Sequence, residues 1–130
     1  MGGIPVTSLY AALLAALYLW LTYRVIRFRR AERVDMGVGE SRLLERYVRA
    51  HGNFAEYAPF GLLLLGLLEI GGRPFWLLHL LGAVLLAGRV AHAWSFSVAE
   101  LRLPSRTLGT VLTLTTIAVS AVLCLVQSFG

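Results

Sequence analysis

The sequence predicts an all-α membrane protein in which four transmembrane helices form an up-down bundle. Three observations carry that prediction. The 130 residues are 58% hydrophobic and only 15% charged, with a mean hydropathy of +0.73, a composition too apolar for a soluble domain of this size. Four apolar stretches fill most of the chain, each close to the roughly 20 residues that one helix needs to cross the hydrocarbon core. All twelve cationic residues are arginines, and apart from Arg89, which interrupts the third stretch, they stand between or at the ends of those stretches. That is the placement of a juxtamembrane belt, so no nucleic acid is expected as a partner despite a formal charge of +5.

The first span, at about residues 5–26, opens at Pro5, a residue suited to a first helical turn, and closes where Arg24, Arg27, Arg29, Arg30 and Arg33 take over. No basic residue precedes it and no small-residue cleavage site follows, so it reads as a retained helix and not a signal peptide. Residues 35–41 (DMGVGES) form a loop, and Ser41 is placed to cap a helix beginning at Arg42. That helix starts outside the membrane and runs through Glu45, Arg46, Arg49, Asn53 and Glu56 into the second span, at about 54–70. Gly71 to Pro74 (GGRP) make a tight turn that returns the chain antiparallel. The third helix holds Phe75 to about Ala99, its span at about 75–97, and Pro104 marks the next start. The fourth span, about 107–127, carries Thr110, Thr113, Thr115, Thr116 and Ser120, which let membrane helices pack closely. The single cysteine, Cys124, can form no internal disulfide and reads as a small buried hydrophobe. The whole chain is one membrane domain, and no metal site is expected.

Loop charge sets the expected orientation. Eight arginines lie from Arg24 to Arg49, Arg102 and Arg106 flank the third connection, and the second holds only Arg73. By the positive-inside tendency the first and third loops face the cytoplasm, and both termini lie on the opposite side.

One constellation carries chemistry. Arg49, Asn53 and Glu56 are spaced i, i+4, i+7 and share one face of the second helix; Arg89, His92 and Phe96, at i, i+3, i+7, share one face of the third. Both polar faces fall in the arginine-rich half of the bundle. Ionisable groups at membrane depth cost several kcal/mol, by order of magnitude, unless they pair or line a wet cavity. For Glu56 and Arg89 the structural reading is an ion pair between neighbouring helices, and the functional reading is a ligand site. Arg27, Arg30, Arg33 and Arg42 suit contact with anionic lipid head groups.

Arg46 to Phe60 (RYVRAHGNFAEYAPF) resembles the Arg, Asn and Glu signature that opens the second helix of the MAPEG family, the membrane-associated proteins of eicosanoid and glutathione metabolism. Its Glu56, Tyr57 and Pro59 are similar to the leukotriene-forming members, as is Val25 to Val34 (VIRFRRAERV). Gly88 to His92 (GRVAH) and Leu101 to Thr107 (LRLPSRT) are similar to the prostaglandin E synthase branch. Length, spans, loops and charge placement extend the resemblance over the whole chain. It implies a four-helix protomer in a homotrimer, with a glutathione site between adjacent protomers near the cytoplasmic side.

Carried over position by position, the resemblance makes Arg29 and Arg49 partners of the glutathione carboxylates, Glu56 the partner of its amine and Asn53 of its backbone amide. Tyr57, His51, Arg89 and His92 complete the wall. Arg102 matches the thiolate-activating arginine of the leukotriene-forming branch. Arg106 with Thr107 matches the corresponding pair of the prostaglandin branch, and either arginine can supply a charge that favours the thiolate. Phe96 stands where several members have Tyr, Gly52 replaces an Arg of one branch, and His92 replaces a Tyr of the other. These departures point to a general membrane-bound glutathione transferase or peroxidase acting on lipophilic small molecules, and away from a dedicated eicosanoid synthase. Two alternatives stay open: a non-catalytic trimer that binds glutathione or lipid, and a small transporter subunit using Arg89 and Glu56 as pathway charges.

Overall fold

The computed structural model describes residues 3–97 and 103–130, and the described chain is four helices joined by short connections. Helix α1 spans Pro5–Glu32, α2 Arg42–Ile70, α3 Phe75–Ser95 and α4 Leu103–Gln127. Each contains a window long and apolar enough to cross a membrane. α2 and α3 touch one another and both flanking helices, whereas α1 and α4 do not meet. The section is therefore a rhombus with α2 and α3 across its short diagonal.

The helix ends follow local chemistry. Helix α1 outlasts its apolar span and ends at Arg33, which adopts the left-handed conformation (φ 56°) while the next amide, that of Val34, donates to Arg29 O at 3.0 Å. Ser41 Oγ accepts from Leu44 N at 3.2 Å and starts α2. Gly72, at φ 76°, supplies the left-handed residue of the α2–α3 turn. Helix α3 stops at Ser95, earlier than the sequence suggests, and serine hydroxyls bond carbonyls of its last turn: Ser95 Oγ donates to His92 O at 2.7 Å and Ser97 Oγ to Ala93 O at 2.8 Å.

The distribution of polarity is inverted relative to a water-soluble bundle. Leu19, Leu63, Ile70, Trp76, Leu80, Trp94, Val122 and Leu125 are exposed, while Arg24, Glu69, Arg89, His92, Ser95, Thr113, Thr116 and Ser120 are buried. Lipid is the medium in which that arrangement is stable, since it solvates the outer side chains and offers the inner ones no water. The apolar interior has two layers. One, around Leu14, Leu21, Phe54, Leu85 and Phe96, lies toward the arginine-rich end; the other, around Val6, Tyr10, Leu65, Leu68, Leu78 and Leu81, lies toward the α2–α3 turn.

Small residues bring α3 and α4 together. A Cβ built on Gly109 would stand 2.6 Å from both Gly88 O and His92 N, so only glycine permits this crossing. At the opposite end Arg73 donates to Gln127 Oε1 (3.2 Å) and Leu123 O (3.3 Å), fastening the turn to the last turn of α4.

Candidate functional site

Three helices enclose an open cleft of about 430 Å³ at the arginine-rich end. Helix α2 contributes Glu45, Val48, Arg49, Gly52, Asn53 and Glu56; α3 contributes His92 and its cap Phe96; α4 contributes Arg106, and Val38 closes one rim. The volume suits a small-molecule ligand. The two faces read from helical spacing therefore meet, and the first turn of α4 completes them.

The cleft wall offers groups of different character. Arg49 reaches Glu45 only at 3.8 Å and both side chains are largely exposed, a pair worth little in water and easily exchanged for a ligand. Glu56 is exposed on the cleft and makes no ion pair among the described residues. The Phe96 ring lies 5.1 Å from the ring of His92 and 5.6 Å from the Arg106 guanidinium. In place of a tyrosine hydroxyl, it gives Arg106 an aromatic face to rest against.

Behind the wall lies Arg89, only 2% exposed. Its Nη1 donates to Asn53 Oδ1 at 2.6 Å and its Nε to Thr113 Oγ1 at 2.9 Å, with the Tyr57 ring 5.7 Å from the guanidinium. Glu56 and Arg89 form no ion pair, contrary to the structural reading of the sequence. Thr113 and Asn53 occupy Arg89 instead, and Glu56 is left to the cleft. Arg89 does not line the cleft; it acts there through Asn53. Because Asn53 Oδ1 faces Arg89, the amide nitrogen is the end left to donate to a ligand.

Tyr57, expected in the wall, does not line the cleft and instead lies beside Arg89, and two more of the residues singled out in the sequence lie elsewhere. His51 packs against α1, its ring 5.0 Å from Tyr18 and its Nε2 3.1 Å from Thr22 Oγ1. Thr22 Oγ1 already donates to Tyr18 O at 2.9 Å, so His51 donates to it through Nε2. Arg29 lines a different surface with Ile26, Arg30, Arg33, Val34 and Asp35, and its Nη1 donates to Gly37 O at 2.6 Å. Arg102 lies outside the described residues. Glu45 joins the cleft without having been singled out in the sequence, although its place four residues before Arg49 puts it on the same helical face. Thr113 carries no such signal, because its role depends on which helix packs against α3.

The fold and the cleft together define a multi-pass integral membrane protein with a polar cleft at one end of its bundle. The sequence profile of the MAPEG family matches residues 7–126, and the chain belongs to that family. It is similar to the inner membrane protein YecN of Escherichia coli strain K12, at 40% identity over 91 residues that cover 70% of each chain. The protein of the same name from strain O6:H1 CFT073 matches over the same extent at the same identity.

Proposed function

We propose that this protein is a membrane-bound glutathione transferase or peroxidase-like enzyme, working as a homotrimer whose first and third loops face the cytoplasm. The observation that carries this reading is the convergence of Arg49, Asn53, Glu56, His92 and Arg106 on one cleft. Glutathione presents two carboxylates, an ammonium and a thiol, and the cleft has a partner for each class. Arg49 exchanges its loose contact with Glu45 for a carboxylate, Glu56 takes the ammonium, and the Asn53 amide donates to a peptide carbonyl. Arg29 and His51, which face away from the cleft of their own protomer, join the site of a neighbour.

Arg106, or Arg102 beside it in sequence, supplies the positive charge that favours the thiolate over a thiol whose ordinary pKa is about 8.5. The thiol proton goes to solvent, and sulfur forms a bond to the electrophilic carbon of a lipophilic substrate while the leaving group departs with its electron pair.

The test is conjugation of glutathione to 1-chloro-2,4-dinitrobenzene by the detergent-solubilised protein, with calorimetric titration of glutathione alongside. Turnover that falls in Arg106→Ala or Arg102→Ala while glutathione affinity is largely kept, and affinity that falls in Arg49→Ala, supports the assignment. Glutathione binding without turnover would favour a non-catalytic trimer, and neither binding nor turnover would end the reading.

A further inference from the structure

Arg24 belongs to no part of this cleft. It sits on α1, 9% exposed, with its guanidinium 4.3 Å from the Trp20 ring centroid and 4.1 Å from that of Tyr47 on α2, so its faces are covered by aromatic rings. Nη1 donates to Ser97 Oγ just beyond α3. Nε and Nη2 are buried and meet no acceptor. Those two nitrogens form the edge through which a guanidinium grips a carboxylate or phosphate with two parallel bonds. Among the described residues no carboxylate pairs with Arg24. A buried guanidinium without a counter-ion is costly, and its orphaned edge is the costliest part to leave unmatched.

The surroundings specify what fills it. Trp20, Tyr23, Arg24 and Arg27 recur at i, i+3, i+4 and i+7, on one face of α1. Trp20 is 44% and Tyr23 58% exposed, and Arg27 is exposed one turn further on. Counted from Pro5, about 20 residues of helix cross the hydrocarbon core, which places Arg24 at its edge, with the interfacial rings of Trp20 and Tyr23 on the core side and Arg27 on the head-group side. The oxyanion present at that depth is the phosphodiester of a membrane phospholipid. We propose that Arg24 binds one such phosphate between Nε and Nη2, with Trp20 as the half-exposed wall that swings aside to admit it and Arg27 on its outer flank. The lipid then ties α1 to the junction of α2 and the end of α3. This inference stands independently of the glutathione reading.

The experiment uses the full chain, delipidated in a phosphate-free detergent and challenged with dioleoylphosphatidylglycerol, a digalactosyl lipid with the same acyl chains, or inorganic phosphate. Bound lipid per protomer is counted by native mass spectrometry, with the thermal midpoint followed in parallel. Wild type should retain the phospholipid about ten- to a hundred-fold more tightly than the galactolipid, the worth of a charge-assisted bidentate contact. Arg24→Met should erase that preference, and Arg24→Lys, which keeps the charge and loses the fork, should reduce it. The comparison is a ratio within each variant and holds for any variant that stays monodisperse. Equal retention of both lipids by wild type would overturn the proposal. So would protection by inorganic phosphate equal to that by the phospholipid, which would identify the ligand as a free anion. Glu100, which lies outside the described residues, is the acid nearest Ser97 in sequence, and a preference acquired only in Glu100→Gln would assign the fork to the chain's own carboxylate and would overturn the proposal equally.

Discussion

Arg89 spends its guanidinium on two neutral acceptors, Asn53 Oδ1 and Thr113 Oγ1, and thereby links α2, α3 and α4 from a nearly dry position. Taking away one acceptor leaves a charged donor unmatched, whereas taking away the arginine also removes the cost of burying it. Thr113→Val, which keeps the shape, is expected to cost about 1.5–3 kcal/mol, and Arg89→Met less. The double variant should recover part of the Thr113→Val loss. Thermal unfolding in detergent gives the ordering, and an Arg89→Met protein less stable than Thr113→Val would refute it. Arg89→Met should also weaken glutathione binding in calorimetry although Arg89 does not line the cleft, because the Asn53 amide is then free to turn over. Helical spacing made Arg49, Asn53, Glu56, His92 and Phe96 legible in the sequence as two polar faces. It could not show that Arg89, on the same face as His92, would be withdrawn behind the wall. That depends on Thr113 arriving from α4, and a threonine in an apolar span has no pattern that marks it as a partner.

Among the helices, α1 has no side-chain cap of its own, and Glu69 at the far end of α2 takes that role. Its two carboxylate oxygens accept from Val6 N at 2.8 Å and Thr7 N at 2.7 Å, across 63 and 62 residues of sequence. A carboxylate there meets both the orphan amides and the positive end of the helix dipole. Glu69→Gln leaves one acceptor oxygen and no charge, and should cost about 1.5–3 kcal/mol, with faster hydrogen exchange confined to the Val6 and Thr7 amides at first. Unchanged exchange there would show that the cap is dispensable. The α3–α4 crossing predicts a contrast between two glycines. Gly109→Ala drives a Cβ into Gly88 O and His92 N and should separate the helices, lowering the thermal midpoint. At Gly52 a Cβ meets nothing within 4 Å, so Gly52→Ala should gain about 0.5–1 kcal/mol from helix propensity. The helices, the Ser41 start and the Gly71–Pro74 turn were readable because their signals are local. The Glu69 cap was not, because a window that finds Pro5 cannot see a partner on another helix, and Glu69 falls inside the second apolar span.

At the scale of the whole molecule the question is how many chains complete one site. A single protomer gathers Arg49, Asn53, Glu56, His92 and Arg106 in its cleft, while Arg29 and His51 present themselves elsewhere on its surface. If those two residues serve a neighbour's cleft in a homotrimer, each site needs one protomer with an intact cleft and a second with an intact Arg29. Arg49→Ala and Arg29→Ala proteins should each bind glutathione poorly as pure trimers. Co-expressed in equal amounts from differently tagged genes and purified through both tags, they form mixed trimers in which some sites draw their cleft from an Arg29→Ala chain and their Arg29 from an Arg49→Ala chain. For random assembly around a closed three-fold ring about one quarter of all sites regain both arginines, a somewhat larger share once pure trimers are removed. Glutathione titration of the doubly purified material should therefore recover a high-affinity fraction of that size, with the wild-type constant. Mixing the separately purified trimers should recover none, since no protomers have exchanged. A doubly tagged preparation with no high-affinity fraction would mean that Arg29 belongs to its own protomer's chemistry or to none. An assembly mass other than three chains would remove the ring on which the count depends.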